Sequence, residues 1–125
     1  LLVKEAVKKF VLAWNHDDAV QLSMLFTPNG ILTSPSGATA KTRSGIKDLL
    51  INEHREIFIG TVLRKTIRTV RFDNSAVALV KGQYELGGIE TFLGFVTSVT
   101  GTFDFYLEKQ ADEWLITRAY IARKR

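Results

Sequence analysis

The spacing of apolar residues changes period along the chain. Val3, Ala6, Val7, Phe10, Val11 and Trp14 recur at i, i+3, i+4, i+7, i+8 and i+11, the stripe of an amphipathic helix that buries one face. His16-Asp17-Asp18 breaks the stripe and supplies a capping carboxylate for a second, shorter helix. That helix carries Leu22, Leu25 and Phe26 on its buried side and is stopped by Thr27-Pro28-Asn29-Gly30. The period then falls to two. In "GILTSPSG", residues 30–37, Ile31 and Thr33 alternate with Leu32 and Ser34, a strand that ends in a Pro35-Ser36-Gly37 turn. A polar loop over 36–42 leads to a third helix, capped by Ser44, with Ile46, Leu49, Leu50 and Ile57 as its apolar positions. The remainder reads as strands over 62–72, 75–86, 95–108 and 113–123. Asp73-Asn74 and Gln110-Ala111-Asp112 are their turns, and Gly87-Gly88 opens a longer connection.

Three helices ahead of a run of long, mostly antiparallel strands predict an α+β fold, in which a strongly curved sheet wraps around the helices and leaves room for a cavity. The chain has the length of one domain, taken as 1–125. Its 46% apolar and 24% charged residues are those of a folded globular protein. Cysteine is absent, which excludes disulfides, thiolate metal sites, iron–sulfur clusters and a cysteine nucleophile, and which favours the cytoplasm. The two histidines, His16 and His54, form no ligand-spaced cluster, so no metal and no other cofactor is expected. The uncharged run Thr91 to Phe103 is shorter than the ~20 residues of a membrane span. Lys4, Glu5, Lys8 and Lys9 make the start of the first helix unlike the core of a signal peptide.

A net charge of +4 raises the question of nucleic acid. Arg64, Lys65, Arg68 and Arg71 crowd one strand, and Arg123, Lys124 and Arg125 close the chain. On a regular strand Arg64 and Arg68 point one way while Lys65 and Arg71 point the other, so they form no single basic face and read as solvated edge residues. Nucleic acid is therefore a distant alternative.

The third helix carries a sharper anomaly. Extending its stripe from Ile46, Leu49 and Leu50 puts Glu53 at i+7 and His54 at i+8, near the buried face. A partly desolvated carboxylate and an adjacent imidazole are acid–base candidates; the plainer reading has the helix leaving the core there, with Glu53 ion-paired and His54 in solvent. Trp14, Phe26, Phe58, Phe103 and Phe105 fit a core by spacing alone. Gln83 and Lys81 share one strand face and Val80, Gly82 and Tyr84 the other, and periodicity does not decide which is inside.

Four stretches in order, "FVLAWNHDDAVQLSMLFTPNGILTSP", "TRSGIKDLL", "AVALVKGQYEL" and "FDFYLEKQADEWLITRAYI", resemble the NTF2-like superfamily over essentially the whole chain. That group holds ketosteroid isomerases, polyketide cyclases of the SnoaL type and many small proteins of unknown activity. The resemblance implies a cone of three N-terminal helices packed in the curved sheet. In similar isomerases a tyrosine on the first helix donates to the oxyanion and an aspartate before a proline is the base. Here Phe10 and Ser34 stand at those positions, which argues against steroid-type enolisation. The second family acid falls near Thr102 to Asp104, and with Phe103 and Phe105 inward Asp104 faces out. Ser34 is then either an orienting hydroxyl on the cavity wall or a turn serine satisfying local backbone before Pro35. In the last strand Leu115, Thr117, Ala119 and Ile121 resemble the pocket face, and Trp114, Ile116, Arg118 and Tyr120 suit the outer face of a homodimer. The resulting expectation is a protein that binds a small hydrophobic or oxygenated metabolite with Phe10, Trp14, Ser34, Gln83, Phe103 and Thr117. The alternative is a cofactor-independent isomerase, cyclase or dehydratase using Glu53 and His54.

Overall fold

The apolar stripe becomes α1 (Leu2–Asn15), which buries Val3, Ala6, Val7, Phe10, Ala13 and Trp14. The computed structural model describes residues 2–90 and 93–123. Lys124 and Arg125 of the terminal basic run, and Thr91 at the start of the uncharged run, lie outside the described residues. Asp18 caps α2 (Ala19–Met24) through its carboxylate, which accepts from the Gln21 N–H at 3.0 Å. Leu25 and Phe26 are both buried, but Phe26 already begins β1 (Phe26–Thr33). Thr27-Pro28-Asn29-Gly30 therefore lies within a strand, as an irregular stretch where the pairing shifts register between Phe26 and Ile31 and where proline's missing N–H is tolerated.

Inside the loop read over 36–42 lies a short edge strand, β2 (Thr39–Lys41), antiparallel to β1. Helix α3 (Thr42–Arg55) follows it, so only two helices precede the first strand, and α2 has only six residues. The side chain that caps α3 is Thr42 and not Ser44: the Gly45 N–H donates to its hydroxyl at 3.2 Å. Four long strands complete the chain: β3 (Val62–Asn74), β4 (Val77–Glu90), β5 (Val96–Gln110) and β6 (Glu113–Arg123). The six-stranded sheet has the order β2-β1-β6-β5-β4-β3. Its one parallel pairing is β1 with β6; the others are antiparallel.

The sheet curls around α1, which touches β3, β4 and β6. Three irregularities re-aim side chains. A shift at Arg68 puts Arg71 on the outer side with Arg64, opposite Leu79, in place of the inward direction strict alternation gives it. A second shift, between Leu86 and Ile89, contains Gly88 at φ +81°, so Gly87-Gly88 bends β4 without ending it. The third falls at Thr117, between the pairs Tyr106–Arg118 and Leu107–Ile116. It brings Ile116, Ala119 and Ile121 all into the core, so Ile116 does not belong to an outer face. The curl also needs close backbone approach at Gly82 and Gly101. A Cβ on Gly101 would overlap the Ala122 carbonyl oxygen and stand 2.8 Å from the Tyr84 ring.

Candidate functional site

A tight turn builds the first polar site. The Ser34 N–H donates to the Ala38 carbonyl and the Gly37 N–H to the Ser34 carbonyl, both at 2.9 Å. Gly37 takes φ +92°, a region open to glycine. The turn points two hydroxyls at α3. Ser34 Oγ donates to Glu53 Oε2 at 3.2 Å, and Ser36 Oγ donates to the same oxygen. Ser34 Oγ also accepts from the Ser36 N–H at 3.3 Å, so this residue is both the turn serine and a hydrogen-bond donor to an ionisable group.

Glu53 is only 6% exposed, the buried continuation of the Ile46–Leu50 stripe. Its Oε1 is out of solvent without a hydrogen-bond partner, and none of the ion pairs among the described residues includes it. His54, half-buried beside it, places Nδ1 3.0 Å from the Leu50 carbonyl. A carbonyl only accepts, so Nδ1 carries the proton and Nε2 is left as the second ring nitrogen, buried and unpartnered. The imidazole sits edge-on to Trp14 at 4.5 Å between centroids, and Trp14 Nε1 donates to Thr61 Oγ1 at 3.3 Å.

Phe10, Trp14 and Phe103 are fully buried and belong to one apolar cluster with Phe26 and Phe105. Around Trp14, Leu50 and His54 the packing leaves no room for a water molecule. These rings pack as core. Gln83 lies outside: it is exposed and accepts from Arg68 at 2.7 Å. Tyr84, its neighbour, is the residue that turns inward. Thr117 sits at the β6 bulge and donates to the Tyr106 carbonyl at 3.0 Å, which uses its hydroxyl within the sheet. The structure thus brings Glu53, His54, Ser34 and Trp14 into one neighbourhood and leaves Gln83 and Thr117 outside it. Asp104 faces outward, 4.0 Å from Lys81.

Space opens beside Ser36. Strand β6 continues past Tyr120, its last partner on β1, to Arg123. Between that end, paired with β5 but no longer with β1, and the serine turn lies a cleft of about 400 Å³ lined by Thr33, Pro35, Ser36, Gly37, Tyr120, Ile121, Ala122 and Arg123.

Two further interior groups escape a reading by period and composition. Lys65 is partly buried, and its Nζ is out of solvent with no hydrogen-bond acceptor; burial holds its pKa well below the usual lysine value. The amine lies over three rings, 3.8 Å from the centroid of Phe10, 3.9 Å from Phe105 and 4.9 Å from Phe103. Its cross-strand partner Tyr84 has a buried, unpartnered hydroxyl whose pKa burial raises, with nearby Arg123 acting in the opposite sense. The signal for Lys65 is the alternation Leu63, Lys65, Ile67, an inward set; its basic neighbours mask it. Those neighbours form no open patch, since Arg64 pairs with Glu85 and Arg71 with Asp73. Among the described residues no cluster of acidic or histidine side chains is placed to hold a metal ion, and no helix is long and apolar enough to cross a membrane.

No family model matches the chain, and no curated protein matches it in sequence. Solved structures do match. A ketosteroid isomerase-like protein from Erwinia carotovora atroseptica superposes with a TM-score of 0.83 at 19% identity, over 99% of this chain and 95% of that one. An uncharacterised protein with a cystatin-like fold from Caulobacter vibrioides gives 0.85 at 15% identity, over 99% and 88%. An NTF-2 like protein of unknown function from Shewanella oneidensis gives 0.74 at 19%, over 96% and 95%. At these identities the likeness is one of architecture: the chain has the NTF2-like, cystatin-like α+β fold.

Proposed function

We propose that this NTF2-like chain binds a small oxygenated organic molecule at the Glu53 carboxylate, reached through the cleft between the serine turn and the end of β6. The observation that supports this reading is the state of Glu53: a deeply buried carboxylate with one oxygen held by two serines and the other unpartnered. Leaving a buried acceptor unmade costs about 1–3 kcal/mol, more for a charged group. A ligand hydroxyl or enol donating to Oε1 removes that cost. The cleft of about 400 Å³ has the size of a small-molecule site. The exposed Tyr120 offers aromatic surface, and Arg123 offers positive charge to a ligand oxygen. The exposed Ser36 side chain stands between cleft and carboxylate and moves aside to admit the ligand. The protein works as a homodimer through the outer sheet face.

A second reading, proton-transfer catalysis, is favoured by the same free oxygen, which is where a general base needs it, and by the isomerase-like neighbour of this fold. Phe10 has no hydroxyl to stabilise an enolate, so a steroid enone is a poor substrate for this chain. The experiment is a thermal-shift screen of small hydroxylated and carbonyl compounds on wild type, Glu53→Gln and His54→Gln, with every hit assayed for turnover. Binding that weakens in Glu53→Gln supports the carboxylate as acceptor. Turnover that falls by about 10²–10⁴ with binding retained makes it a base. Equal binding and equal turnover in all three proteins overturn both readings.

A further inference from the structure

We infer that Lys65 is a covalent carbonyl-binding site, distinct from Glu53, whose amine condenses with small apolar aldehydes and ketones entering between α1 and β3. Long basic side chains ordinarily lay their methylenes on apolar surface and keep the charged head in water. Lys65 does the reverse: the residue is partly exposed, while the nitrogen is hidden among Phe10, Phe103 and Phe105 with no oxygen to accept from it. An ammonium ion wants three acceptors and finds none. Cation–π contacts with the three rings do not replace the hydration that the ion gives up. Burial accordingly pushes the amine toward its neutral, nucleophilic form. The groups facing it reinforce this. Lys4 and Lys8 of α1 line the same cleft and the cross-strand partner of Lys65, Tyr84 on β4, keeps its proton, so none of these supplies an anion to stabilise the ammonium.

The cleft gives a carbonyl compound a way in. It measures about 220 Å³ and is lined by Lys4, Val7, Lys8, Val11, Lys65 and Ile67, three aliphatic side chains and three lysines that include Lys65 itself. The step balances without any oxidant or reductant. The nitrogen lone pair forms the C–N bond as the carbonyl π pair moves to oxygen. One amine proton passes to that oxygen, giving a carbinolamine. The C–O bond then breaks, the oxygen leaves with the second amine proton as water, and the nitrogen lone pair closes the C=N bond. Protonation of the imine yields an iminium, a weakly hydrated cation that asks for fewer hydrogen bonds than an ammonium and sits over ring faces. The three phenylalanines suit that species better than they suit the free lysine.

The test is reductive trapping. The intact protein is incubated with hexanal and sodium cyanoborohydride at pH 6 and pH 7, and hexyl groups are located by peptide mapping. Exposed lysines are protonated there, so Lys65 is expected to be labelled at least about tenfold faster than any other lysine. Hexan-1-ol, which fills the cleft but cannot condense, should slow that labelling. Lys65→Met should remove the fast site and leave only slow, scattered modification. Labelling spread over Lys4, Lys8 and other surface lysines in proportion to their exposure, with Lys65 no faster, overturns the inference. Because the competition arm needs no variant, the outcome stands even if Lys65→Met folds poorly.

Discussion

At the residue scale the interior of this protein is governed by groups that lack partners. Lys65 makes a pH prediction whose sign follows from linkage. Its folded pKa lies well below the ordinary value of 10.5, so between those two values the unfolded chain carries a proton the folded chain lacks. The folding equilibrium therefore gains up to about tenfold per pH unit from this group as pH rises through that window, and nothing more once pH passes the unfolded value. Lys65→Met, which keeps the stem and removes the amine, should stabilise the fold and flatten that rise; urea unfolding of both proteins at pH 7 and pH 9 measures it. Ser34 carries the opposite expectation. Its fully buried hydroxyl serves both Glu53 and the Ser36 N–H, so Ser34→Ala should cost about 1–3 kcal/mol, read as a lower urea midpoint with unchanged slope.

At the scale of elements, single side chains and single glycines fix how helices and strands meet. The Asn15 amide donates to the Leu63 carbonyl at 3.0 Å and its oxygen accepts from the Leu63 N–H at 2.7 Å, which pins the end of α1 to β3. Asn15→Ala should cost about 1–3 kcal/mol and speed hydrogen exchange at the Leu63 amide. Gly101→Ala should cost about as much or more, because the new methyl meets the Ala122 backbone and the Tyr84 ring on the curled part of the sheet. The legibility of these elements in the sequence differs for physical reasons. Helix α1 is legible because a buried face imposes a period on six residues at once, and Glu53 is legible because the same period carries past Leu50. The bulge at Thr117 is not, since an inserted residue leaves the local alternation intact while flipping what lies beyond it; Ile116 therefore reads as outer and lies in the core. Ser36 is invisible as a partner of Glu53 because its direction comes from the turn, and Lys65 is obscured because a cation between Leu63 and Ile67 reads as solvated.

At the scale of the molecule, the distribution of exposed apolar side chains bears on assembly. Tyr106 and Tyr120 are 41% and 43% exposed on the outer face, near one another through the pairs Tyr106–Arg118 and Asp104–Tyr120. Aromatic side chains flanking an arginine are the composition of an interface core. A two-fold axis there would let each tyrosine meet its counterpart and keep the rest of the sheet polar. A different apolar group lies at the end of the sheet where the backbone around Gly60 approaches Gly88, with Ile59, Val62, Leu93 and Val96 exposed. The two surfaces make different predictions. Sedimentation equilibrium at micromolar concentration should give twice the 14.0 kDa of one chain, and the pair Tyr106→Asp with Tyr120→Asp should return it to one chain without lowering its thermal stability as a monomer. A wild-type protein that sediments as a single chain refutes dimerisation. A dimer that survives both tyrosine changes but is lost in Leu93→Asp with Val96→Asp refutes the outer face and moves the contact to the end of the sheet. Only the first outcome leaves the Ser36 cleft bordered by the interface, since Tyr120 belongs to both, so a ligand that fills the cleft should then shift the monomer–dimer equilibrium measured in the same experiment.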